Sequence, residues 1–124
     1  NVILTPHIGG STEEAQANIG EFVPSKLLQF MNNGSTYGSV NFPELQLPPL
    51  ENAHRLLHIH QNVPGILAKI NNVFAKYSVN IIGQYLKTTE KTGYVITDIS
   101  KEYAEEIAKE LKEIDNTIKF RMLY

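Results

Sequence analysis

His7 follows a short apolar run, Val2-Ile3-Leu4, and precedes Gly9-Gly10 and Ser11-Thr12-Glu13-Glu14. A strand end followed by a capped helix is where open α/β proteins place ligand-facing groups, and an imidazole there can exchange a proton near neutral pH. Taken alone, a histidine in a turn is more simply explained as a solvated or hydrogen-bonded structural residue. His54, His58 and His60 are spaced by even numbers, so in a strand they share one face, opposite Arg55, Leu57 and Ile59. His58-x-His60 has the spacing of a chelating pair, whereas His54 lies too far along an extended chain to join the same ion. The plainer expectation is an exposed, partly polar sheet face at a subunit contact. Asn62 stands between this strand and a helix opening at Pro64, where backbone amides favour a carboxylate, and Asn80 occupies the turn after that helix. A carboxamide offers an acceptor and donors together, as a zwitterionic amino acid requires of a neutral site. From the residues alone, both asparagines are more simply explained as turn formers.

The elements that position these groups fall into three zones. In residues 1–32, the apolar run reads as a strand, and Ser11 with Glu14 has capping-box spacing. Ala15, Ile19, Phe22, Val23, Leu27 and Phe30 then form the stripe of a helix ending near Gly34, with a kink expected at Pro24. This strand and stripe have no partner of their own and are expected to pack on material outside the chain or on another copy. Residues 33–53, with Gly34, Gly38, Pro43, Pro48 and Pro49, read as an extended linker that is not a packed element.

Residues 54–124 alternate their periods. A strand over Arg55, Leu57 and Ile59 precedes a helix with its stripe on Ile66, Ile70, Val73, Phe74 and Tyr77. Two strands, residues 81–87 and 93–99, form a hairpin around a polar loop. Ser100 is positioned to cap a second helix with Ala104, Ile107, Ala108, Leu111 and Ile114 on one face, and Ile118, Phe120 and Met122 alternate in a last strand. The fold class is therefore α+β, a ferredoxin-like βαββαβ order with both helices on one side of an antiparallel sheet. The other side is expected to stay bare, open to water, ligand or a second subunit.

Composition narrows the function classes. The chain has 124 residues, 13 acidic against 11 basic, no cysteine and 42% hydrophobic residues, so it holds one modest domain plus additional material. The lack of cysteine excludes a disulfide scaffold, a thiolate metal site and a thiol nucleophile, and suits a reducing cytoplasm. No run approaches the ~18 apolar residues of a membrane span. A net charge of −2 offers nothing to nucleic acid or anionic lipid. The βαββαβ order is shared with RNA-recognition modules, but the first strand has no aromatic ring beyond its imidazoles and there is no basic patch. Small molecules and protein surfaces remain as partners, and opening at Asn1 inside a strand pattern reads as a piece of a longer protein.

Several strings together resemble the C-terminal part of the bacterial D-3-phosphoglycerate dehydrogenases. They are Asn1-Val2-Ile3-Leu4-Thr5-Pro6-His7-Ile8-Gly9-Gly10-Ser11-Thr12, Val40-Asn41-Phe42-Pro43-Glu44, His58-Ile59-His60-Gln61-Asn62-Val63-Pro64-Gly65, Val79-Asn80-Ile81, Gly93-Tyr94-Val95 and Leu123-Tyr124. The resemblance implies that residues 1–32 are the last strand and helix of a Rossmann-type catalytic part, 33–53 a linker and 54–124 an ACT regulatory domain. It implies that His7 is the catalytic histidine of an NAD-dependent oxidation of 3-phosphoglycerate, the first step of serine biosynthesis, in a cytoplasmic homo-oligomer. The Gly-rich cofactor loop would lie upstream, so the fragment is expected to be inactive and to bind no NAD or metal. It further implies that His60 and Asn62 of one subunit and Asn80 of its neighbour bind L-serine for feedback inhibition across paired ACT domains. Asn52-Ala53 stands where the regulated form has a glycine pair, and Pro24 where a helix former is usual. Rival expectations are an ACT domain serving oligomerisation alone and a metal-sensing module using His58 and His60.

Overall fold

Helical and strand periodicities place seven elements along the chain: α1 (Glu13–Asn33), β1 (His54–Gln61), α2 (Ile66–Lys76), β2 (Ile81–Thr88), β3 (Thr92–Ile99), α3 (Glu105–Glu113) and β4 (Thr117–Leu123). They are seen in a computed structural model that describes residues 1–100 and 105–124. Ala104 lies outside the described residues, and with it the expected capping by Ser100 at the start of α3. The four strands form one antiparallel sheet in the order β2-β3-β1-β4, so the expected βαββαβ arrangement is present. No helix among the described residues is long and apolar enough to cross a membrane.

The sheet is packed on both sides. Ile66, Ile70, Val73 and Phe74 of α2 and Ile107 and Leu111 of α3 close over Leu56, Val95 and Ile99, as their spacing requires. On the opposite face, Leu57, Tyr94, Ile96 and Leu123 pack with Leu47, flanked by Phe42, Leu45 and Leu50. The segment expected to be an extended linker thus has no helix or strand but is a packed cover, and the face expected to be bare is largely closed by it. Its backbone is satisfied locally: Thr36 Oγ1 donates to the Pro43 carbonyl (2.7 Å) and accepts from the Leu45 amide (2.8 Å).

Three local expectations change. Val2-Ile3-Leu4 is not a strand; the three side chains are 84–91% exposed, because a lone strand has no neighbour for its amides and carbonyls. The cap of α1 is Thr12, whose hydroxyl accepts from the Ala15 amide at 3.1 Å, in place of Ser11. α1 continues as one 21-residue helix through Pro24, with Ser25 Oγ donating to the Phe22 carbonyl at 2.7 Å in that turn. Pro64 precedes α2 without opening it, and Gly65 in the left-handed region (φ 83°) is the cap. The α1 stripe has no buried residue, in keeping with an element that lacks its packing partner.

The last turn of α1 has no basic residue, and the sheet supplies what it lacks. Arg121 of β4 donates to the Phe30 (3.3 Å) and Met31 carbonyls, Arg55 of β1 to the Asn33 carbonyl (3.0 Å), and the Tyr94 hydroxyl of β3 to the Gly34 carbonyl (2.8 Å). Cations and donors at a helix C-terminus satisfy orphan carbonyls and the negative end of the dipole together. Burial raises the Tyr94 phenol well above its ordinary range, so it remains a donor. Gly34 (φ 80°) is required there, since a Cβ would stand 2.5 Å from Leu57 Cδ2.

Arg55 is fully buried and forks onto Asp98, Nε to Oδ1 and Nη2 to Oδ2, both at 2.7 Å, while Nη1 also reaches the Pro48 carbonyl at 3.0 Å. Removing one member of such a pair strands a buried charge and costs about 3–5 kcal/mol. Asp98→Ala is therefore expected to lower the urea-unfolding free energy of the chain by about that amount. A loss below about 1 kcal/mol, as an exposed pair gives, would show that the guanidinium is hydrated.

Candidate functional site

The C-terminal end of β1 gathers the polar groups of interest. Successive β1 residues alternate between the two cores, with Leu56 on the helix side and Leu57 on the cover side, so His58 and His60 point toward the helices. Both are buried, at 2% and 1% exposure, which corrects the expectation of an exposed histidine face. The three histidines do alternate with Arg55, Leu57 and Ile59, but their face is the one that the helices cover. His54 is half-buried at the far end of β1, edge-on to Tyr124 with ring centroids 5.3 Å apart.

His58 joins three elements. Its Nε2 lies 3.1 Å from the Leu111 carbonyl of α3 and 2.9 Å from Thr117 Oγ1 of β4. A carbonyl only accepts, so Nε2 carries the hydrogen and donates it to Leu111. Burial lowers the imidazole to about 4, against the opposing pull of the Leu111 carbonyl and with a further push from neighbouring His60. No group of three metal-ligating side chains exists among the described residues.

His60 sits one alternation further on, its ring centroid 5.7 Å from that of His58. Its Nδ1 is 2.9 Å from the Gln61 carbonyl, and its Nε2 is buried with no hydrogen-bond partner. The ring lies over Gly93, its cross-strand partner on β3. Asn62 is exposed immediately beyond; its amide donates to the Lys91 carbonyl (2.9 Å) and its Nδ2 to the Thr89 carbonyl (2.8 Å), pinning the β2–β3 loop. One carboxamide hydrogen is thus spent on the fold, and the α2 amides nearby have no side-chain cap. Gln61, Asn62, Lys91 and Thr92 line a shallow depression of about 420 Å³ at this end.

Asn80 is elsewhere. It is exposed and precedes Ile81, which pairs with Ile99, itself the partner of His54. It therefore lies at the end where β1 begins, about 30 Å from Asn62 at ~3.3 Å per strand residue. One chain brings His60 and Asn62 together and keeps Asn80 apart. His7 is exposed in the segment ahead of α1. Two relevant residues escaped sequence reasoning, Gly93 and the backbone of Gln61; the signal was a glycine in register with a histidine, readable only once the pairing of β1 with β3 is known.

Helices over one face of a four-stranded antiparallel sheet, with polar groups at a strand end, define a small ferredoxin-like α+β module. The family model of the AHAS small subunit-like ACT domain matches residues 56–119, and the chain belongs to that family. The fold is shared with the ACT domain from GTP pyrophosphokinase of Chlorobium tepidum (TM-score 0.52, 14% identity, covering 57% of this chain and 96% of that one). Over its whole length the chain is 56% identical to D-3-phosphoglycerate dehydrogenase of Haemophilus influenzae and 52% identical to that of Escherichia coli K12. It spans 30% of the length of each of these relatives.

The depressed His58 has a consequence for stability. Between pH 6.5 and about 4 the unfolded chain takes up a proton that the folded chain refuses, so the stabilisation is complete above pH 6.5 and is lost as pH falls toward 4. His58→Gln keeps a donor for Leu111 and removes the titration. The fall in urea midpoint from pH 7 to 4.5 is expected to be clearly shallower in the variant; parallel profiles would assign the acid sensitivity to other groups.

Proposed function

We propose that this chain is the C-terminal regulatory portion of an NAD-dependent D-3-phosphoglycerate dehydrogenase, and that its ACT module binds L-serine between two copies for feedback inhibition. The observation that carries the reading is the separation of Asn80 from His60 and Asn62, together with identity to the dehydrogenases across all three zones. In this reading residues 1–32 close the catalytic part, 33–53 join it to the regulatory part, and 54–124 sense the effector.

The sheet suggests how two copies would complete the site. β2 is an edge strand with unpaired backbone groups, and it runs parallel to β1 because each is antiparallel to β3. A two-fold axis that pairs β2 with its copy antiparallel extends the sheet to eight strands. The same operation carries the start of the neighbour's β2, and with it the partner's Asn80, to the level of His60 and Asn62. Carboxamides and a neutral imidazole suit the ammonium, carboxylate and hydroxyl of serine without burying a net charge. Serine held in that gap favours the quaternary arrangement that closes it, and it can shift the equilibrium only by its difference in affinity between states.

His7 is proposed to exchange the proton of the substrate hydroxyl during the oxidation. NAD supplies the hydride acceptor in that chemistry. In this reading cofactor binding belongs to the remainder of the enzyme.

Complementation tests the shared site. Asn62→Ala and Asn80→Ala are each expected to abolish the heat of L-serine binding in calorimetry. After equimolar unfolding and refolding together, about half the dimers are mixed and each retains one intact site, so about a quarter of the parental binding capacity returns. No recovery in a mixture that has exchanged subunits would remove the cross-subunit assignment. Absence of serine binding by the parental chain would leave the module with an oligomerising role.

A further inference from the structure

Gly93 holds no position in the ligand reading, yet its missing side chain decides where His60 lies. A Cβ at Gly93 would stand 2.1 Å from His60 Cε1, 2.6 Å from Nε2 and 2.9 Å from Nδ1, so the imidazole occupies the space that any other residue would fill. Gly93 also faces Thr88 of β2, so a ring drawn across β3 approaches the edge strand on which the second copy is proposed to pair.

The second constraint is electronic. His60 Nδ1 lies 2.9 Å from the Gln61 carbonyl, and a carbonyl oxygen can only accept, so the Nδ1 position carries the hydrogen. A neutral imidazole protonated at Nδ1 presents a bare lone pair at Nε2, and that atom is the one buried without a partner. Unmatched buried acceptors are costly, and a ligand N–H or O–H relieves the deficit.

We propose that Gly93 is a positioning residue of the effector site: with the Gln61 carbonyl it fixes the His60 imidazole in the Nδ1–H form, flat across β3, with the Nε2 lone pair directed at a hydrogen-bond donor of the amino-acid effector. The effector's identity rests on the serine reading above, whereas the ring placement and tautomer stand without it. His60 thus serves as an acceptor, and it selects for ligands that bring a donor to that point.

Nitrogen-15 NMR of the histidine-labelled 124-residue chain, with and without L-serine, tests this. The expected ligand-free signature for His60 is a protonated Nδ1 and a pyridine-like Nε2, with the Nε2 resonance moving on serine addition. An Nε2–H tautomer, or an Nε2 resonance that stays put at saturating serine, overturns the proposal. Gly93→Ala is expected to displace the His60 resonances and to weaken serine binding about 10- to 100-fold, the loss of one hydrogen bond to a charged group. Unchanged affinity with unchanged resonances overturns it. Should Gly93→Ala fail to fold, the double variant His60→Ala/Gly93→Ala removes the ring and is expected to regain a folded spectrum; failure to regain it overturns the steric argument. If the parental chain does not bind serine, the serine reading falls, and the ligand-free tautomer still decides the placement of His60.

Discussion

A guanidinium sealed from water between a sheet and the chain that covers it is the constraint on which this architecture depends. Burying Arg55 is tolerable only if its hydrogens find acceptors, and Asp98 takes just one edge of the fork. The other edge needs the carbonyls of Asn33 and Pro48, so the end of α1, the cover segment and two strands must come to the same place. Such a pair adds little net stability over an apolar substitute. Its contribution is to specify a single seating of the cover on the sheet.

That seating accounts for the parts of the fold that local patterns conceal. α2 and α3 announced themselves because one face of each is apolar at helical spacing, and the order of strands and helices left a single topology. The cover did not, because its contacts come from an irregular stretch in which prolines and glycines read as a tether. A clue lay in β3, where Tyr94-Val95-Ile96 is apolar without alternation. A strand of that kind is buried on both faces, so something had to occupy the side that the helices leave. The same fact explains the histidines: with both faces closed, Arg55, His58 and His60 are buried although they point to opposite sides of β1.

The polar end of β1 was legible in a different way. His60 and Asn62 are two residues apart, and a strand ending at Gln61 suffices to bring them together. Asn80 is eighteen positions from Asn62 and at the opposite end of the sheet, a separation that follows from β1 and β2 running parallel. Periodicity gave the order of these strands, and only the register exposed the distance. Asn52 adds a related lesson, since it holds φ 49°, a conformation natural to glycine and tolerated by asparagine.

The end of α1 borrows its donors from three separate strands, and this sets the mechanical character of the junction. A slack tether would let the sheet turn while the helix stayed still. Here a turn of one residue about the helix axis would orphan several carbonyls at once, so the two bodies share one frame like a welded bracket.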